Sequence, residues 1–139
     1  MGLSLRLDAV YSEKEAALLN PLQLAYLGDA IWEMVVRDTL LHRGLNIHHL
    51  HKTCVQYVNA HAQATFIAQL TQCFNNMESE IARRGRNSHP HHPAPKNQRP
   101  DDYAAATGFE AVIGYLYLTG QDDRIAGFAR MIIGGQENG

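Results

Sequence analysis

Leu24-Ala25-Tyr26-Leu27-Gly28-Asp29-Ala30-Ile31-Trp32-Glu33-Met34 is the stretch on which the fold turns, and Ala104 to Leu118 is its counterpart. Each reads as a helix that is apolar almost all the way round, the pattern of a helix enclosed by others. Each also carries a carboxylate in its middle, Asp29 in the first and Glu110 in the second. An unpaired carboxylate is too costly for a stable core to hold, so an acid inside such a helix requires a cation, a proton or a cleft beside it. Two of them suggest a shared metal.

Working outward, the chain predicts helices and little else. Asn20-Pro21 is a strong helix start, since asparagine caps unpaired amides and proline suits the first helical position. That helix runs to about His42, with Gly44 as its stop. Asn46 caps the next segment, where Ile47, Leu50, Cys54, Tyr57, Val58, Ala62, Thr65, Phe66 and Leu70 recur at helical steps and predict one helix ending near Leu70. Thr71 is a candidate cap for a shorter helix through Ala82. Gly85, Asn87, Pro90, Pro93, Pro95 and Pro100 then mark an exposed loop over about 84–100. Asp101 and Asp102 suit the start of the second acidic helix, which ends near Thr119-Gly120, and an amphipathic helix follows from about Asp122 to Ile133. No sustained period-two run or internal repeat appears, so the expected class is all-α.

Composition bounds the answer. With 139 residues and 45% hydrophobic content the chain fits one domain, 1–139, able to bury a core. The net charge of −2 hides a local asymmetry, because Ile81 to Pro100 holds five basic residues and no acid. No secretory leader and no run long enough to span a membrane is seen, which predicts a soluble, cytoplasmic protein. Cys54 and Cys73 lack the spacing of a metal or redox pair and read as reduced, at least partly buried thiols.

Asp29, Glu33 and Arg37 fall at four-residue steps on one polar strip of the first acidic helix. Glu33 and Arg37 read as an ordinary helix pair. Asp29 does not, because Gly28 before it costs about 1 kcal/mol in a helix and removes a side chain where another helix or a ligand can approach. On the second helix Thr107 and Gly114 flank Glu110 one turn away on either side. A glycine-packed helix with Glu110 capped by Tyr115 or Tyr117 is an equal reading for that acid taken alone. Taken together, the two acids favour a divalent-cation site of oxygen ligands, of the kind Mg²⁺ uses.

Ala25-Tyr26-Leu27-Gly28-Asp29-Ala30, Arg83-Arg84-Gly85-Arg86-Asn87 and Ala106-Thr107-Gly108-Phe109-Glu110-Ala111 together resemble the ribonuclease III catalytic-domain family, most closely its Mini form without a double-stranded-RNA-binding domain. The resemblance runs from Pro21 to the last helix. It implies an all-helical homodimer that cleaves double-stranded RNA with Mg²⁺, or Mn²⁺ as an alternative, leaving 5′-phosphate ends. It also implies maturation of precursor 23S ribosomal RNA in ribosome biogenesis. Asp29 and Glu110 match the family's metal-binding, catalytic carboxylates. Full-length members carry two further acids, which fall here at Ala25 and Thr107; neither is acidic, in keeping with the Mini form and leaving the metal count open.

The chemistry suits these residues. Hydrolysis of an anionic phosphodiester gains from a cation that neutralises a non-bridging oxygen and activates water, so no covalent nucleophile is needed. Thr107 has at most an outer hydrogen-bonding role. Arg83, Arg84, Arg86, Lys96 and Arg99, with Asn87 among them, are the candidate RNA contacts, reading duplex shape through the backbone. Their bland alternative is a solvated linker. His89, His91 and His92, and His48, His49 and His51, are weaker metal candidates than the carboxylates. Helices this apolar leave surface that a two-fold partner would cover. A non-catalytic RNA-binding module and a helical interaction protein are the alternative functions.

Overall fold

The computed structural model describes residues 5–88 and 99–134, and among them every regular element is a helix. They are α1 (Glu13–Ala17), α2 (Pro21–Leu41), α3 (Ile47–Val58), α4 (Ala60–Thr71), α5 (Asn76–Arg86), α6 (Pro100–Leu118) and α7 (Asp122–Ile132). None is long and apolar enough to cross a membrane.

α6 is the axis of the fold. From Ala106 to Leu116 every residue except Glu110 is buried, because α2, α4, α5 and α7 pack around it. That explains a helix with no polar face: each side of it meets another helix. The aromatic centre is Trp32, fully buried on α2, with the Phe109 ring edge-on at 5.0 Å and Phe66 of α4 at 5.8 Å. At the other end, the Arg6 guanidinium lies 4.0 Å over the Tyr117 ring and pairs with Asp122, pinning the N-terminal segment across the α6–α7 junction.

Several expected boundaries hold. Asn20 accepts from the Leu22 amide and starts α2 at Pro21, while Gly44 and Gly120 adopt positive φ just past the ends of α2 and α6. Three do not. The helix expected to run unbroken to Leu70 divides at Asn59, which is extended and accepts from the amides of His61 and Ala62 to start α4. The Tyr57 carbonyl released by that break accepts from Trp32 Nε1 at 2.8 Å and from Gln63 Nε2 at 3.0 Å, so buried side chains replace the lost helical bond.

Thr71 does not cap the next helix; it ends α4, its hydroxyl turned back to the Ile67 carbonyl. Asn75 is the cap instead, in a reciprocal box with Glu78, and α5 continues past Ala82 to Arg86. The expected loop therefore begins later than residue 84, and Arg83, Arg84 and Arg86 form the last turn of a helix. α5 continues through Gly85 because that residue packs on Gly108 of α6, where a methyl group would lie 2.9 Å from the Gly108 Cα. The short α1, with its Ser12–Glu15 capping box, had no counterpart in the sequence reading. Cys54 is buried as expected, but Cys73, which follows the end of α4, is exposed.

Candidate active site

Gly28 and Gly114 bring the two acidic helices together. A methyl group on Gly28 would lie 1.7 Å from the Glu110 carbonyl oxygen, and one on Gly114 would lie 2.0 Å from that of Leu24. No side chain fits at either position, so α2 and α6 cross backbone against backbone. The reason wanted for Gly28 is thus another helix. Because Asp29 follows one of these glycines and Glu110 lies one turn from the other, the crossing also sets their carboxyl groups side by side.

Asp29 is exposed at the rim of the crossing and Glu110 is partly buried beneath it. The two side chains share a hydrogen bond. Burial, then the Asp29 charge, then that bond push the Glu110 carboxyl up to about 9. Among the described residues no Arg, Lys or His lies in ion-pair range of either acid. Neither Tyr115 nor Tyr117 caps Glu110. Two hard oxygen ligands, crowded together and lacking a protein cation, fit a divalent ion such as Mg²⁺, which typically takes one or two protein carboxylates and keeps several waters.

The surrounding residues sort clearly. Glu33 and Arg37 form the expected surface pair at 3.5 Å. Thr107 is buried and its hydroxyl donates to the Tyr103 carbonyl at 2.9 Å, so it is occupied within its own helix. Arg83 pairs with Glu80 at 2.6 Å, and Arg84 reaches away to the Ala17 carbonyl at 2.5 Å, bracing the end of α1. Arg86 and Asn87 are exposed at the end of α5, and Arg99 is exposed at the start of α6. Lys96 and the histidines His89, His91 and His92 lie outside the described residues. His48, His49 and His51 are exposed on α3, and among the described residues no group of three or more His, Cys, Asp or Glu side chains could hold a metal.

Among the charged pairs that sequence reasoning missed, one has a fully buried acid. Glu78 is fully buried, takes Arg124 Nε at 2.9 Å and Nη2 at 2.8 Å, and accepts from the Asn75 amide. The Asn75-to-Glu78 spacing was a readable capping signal. Its cation, 46 residues away, was not.

Comparison with known proteins identifies the family and the fold. Residues 22–121 match the Ribonuclease III domain family, a span that contains both acidic helices. A Symbiobacterium thermophilum protein named Mini-ribonuclease 3 is 49% identical over 109 residues, 78% of this chain and 83% of that protein. A Clostridium tetani protein of the same name is 38% identical over 125 residues, covering 88% of this chain and 82% of that one. The crystal structure of a Fusobacterium nucleatum protein is similar with a TM-score of 0.78 and 29% identity, over 91% of this chain and 99% of the other. The chain belongs to the ribonuclease III domain family.

Proposed function

We propose that this ribonuclease III-type endoribonuclease hydrolyses double-stranded RNA using a divalent cation held by Asp29 and Glu110, Mg²⁺ by preference and Mn²⁺ as a substitute. The observation that carries the reading is the Asp29–Glu110 pair itself, two carboxyl groups forced together at a glycine crossing with no Arg, Lys or His among the described residues in ion-pair range. When bound, a divalent ion supplies charge neutralisation at the phosphate and activates water. Asp29, with its carboxylate at the exposed rim, and Glu110 would hold the ion, and Glu110 would release its proton to solvent on doing so. The crossing backbones hold both side chains on rigid helices. The family resemblance implies that the 3′ oxygen leaves, which gives 5′-phosphate ends.

Arg83, Arg86, Asn87, Lys96 and Arg99 engage phosphates of the duplex, with Arg84 adding charge from where it braces α1. A homodimer presents two such sites. Tyr26, 86% exposed one turn from Asp29, together with Met34 and Leu41, gives α2 an apolar outer face beside the site. The family resemblance implies a cytoplasmic maturation enzyme whose substrate is the stem of precursor 23S ribosomal RNA.

The test is cleavage of such a stem in Mg²⁺, in Mn²⁺ and in EDTA, beside Asp29→Asn and Glu110→Gln. Cleavage by the wild type alone, and only with metal, supports the reading. Metal-independent cleavage, or full activity in either variant, contradicts it. RNA binding without any cleavage would favour a non-catalytic binding module.

A further inference from the structure

His61, the second residue of α4, and Asp102, the third residue of α6, meet across two helices with Nδ1 3.0 Å from Oδ2. The pair is lopsided, because the Asp102 side chain is 16% exposed and that of His61 is 80% exposed. A latch between helices buries both partners. Here the carboxylate is the sunken anchor and the imidazole faces outward. His61 is the one described histidine held by an acid from another helix, since the His42–Asp38 contact is a surface pair within α2 and its C-cap.

A neutral imidazole carries its proton on one nitrogen and a lone pair on the other. With Nδ1–H donating to Asp102, the lone pair falls on Nε2, which no described residue engages. A fixed, exposed acceptor suits a hydroxyl donor. Phosphate oxygens only accept, whereas the wide minor groove of A-form RNA displays ribose 2′-hydroxyls. Asp102 precedes Glu110 by two four-residue steps on α6, about 12 Å along the axis. α6 is enclosed from Ala106 to Leu116 except at Glu110, so a duplex with its scissile phosphate at Glu110 that runs toward the exposed N-terminal end of α6 would pass His61 a few nucleotides away.

We propose that His61, oriented by Asp102, accepts a hydrogen bond from a ribose 2′-hydroxyl of the bound duplex and so helps select RNA over DNA. The inference rests on the function proposed above. Cleavage of duplexes bearing one 2′-deoxyribose at successive positions around the cut locates the contact. The wild type is expected to lose about tenfold in kcat/KM at one position on each strand, the worth of one hydrogen bond. His61→Ala is expected to lose the same factor on the all-ribose duplex and to ignore the deoxy substitution. Asp102→Ala, which unfixes the ring, should behave alike. His61→Gln, whose amide oxygen accepts from a hydroxyl, should retain the deoxy response, and melting curves confirm that each variant folds. A His61→Ala protein that keeps the wild-type deoxy response at every position overturns the inference. So does a loss that follows methylphosphonate rather than 2′-deoxy substitution, which would make His61 a phosphate contact. A wild type that leaves duplex RNA uncut in Mg²⁺ defeats the proposed function itself, whereas cutting with an unaltered variant response defeats this inference alone.

Discussion

Glu78 and Glu110 lie in the same helical core with opposite surroundings. Glu78 is fully buried, and its two oxygens take a bidentate guanidinium and a backbone amide. Glu110 is less deeply placed, yet the charge that acts on it is another acid's, and its carboxyl is driven up to about 9. Depth therefore does not separate a structural acid from one proposed to be functional. Satisfaction does: a carboxylate with its full set of donors holds the fold, and one crowded by a like charge waits for a cation.

The contrast can be broken at its structural end first. Arg124→Met leaves the Glu78 carboxylate buried without its cation and is expected to destabilise the fold by about 2 kcal/mol, below the range for a fully buried pair because the Arg124 side chain is 38% exposed and the Asn75 amide remains. Urea denaturation measures the loss, and cleavage per folded molecule should be unchanged. At the functional end, Asp29→Asn and Glu110→Gln should each lower Mg²⁺-dependent cleavage by at least about a hundredfold, or roughly 2.7 kcal/mol of barrier. Their thermal midpoints should not fall. A variant that loses stability and activity together would erase the distinction between the two acids.

Proton linkage sharpens it further. The folded-state value for Glu110, about 9, lies above its ordinary 4.5, so between those values the folded chain binds the extra proton. Stability without metal then falls as pH rises through that window, by up to about 1.4 kcal/mol per unit. Glu110→Gln should flatten the slope in thermal melts taken in EDTA, and Mg²⁺ added to the wild type near pH 7 should release protons in a calorimetric titration. The smallest effect belongs to the exposed cations. Replacing Arg83 and Arg86 by alanine should weaken duplex RNA binding a few-fold at moderate salt and reduce the log–log salt slope by up to about 2. An unchanged slope would remove the end of α5 from the RNA surface.

Much of this was legible because it is local. The bounds of α2 and α6 follow from Asn20-Pro21, Gly44 and Gly120, signals that act within a few residues of the helix end. The break at Asn59 was not, because the apolar stripe runs straight through it. Only the Trp32 indole and the Gln63 amide, closing on the Tyr57 carbonyl, make an interrupted helix stable there. Arg84 shows the same limit, since its bond to the Ala17 carbonyl, 67 residues away, is a contact that no local signal announces.

From the sequence alone came the helical class, the two apolar helices and the two acids within them that want a partner, since periodicity and burial cost are properties of a single segment. Which partner each charge receives was decided by tertiary structure. Gly28 on Gly114 sets one acid against another, and α5 folded beside α7 gives Glu78 its arginine. The physical reason is that electrostatic pairing depends on distance in space, and residues dozens of positions apart acquire that distance only when helices pack.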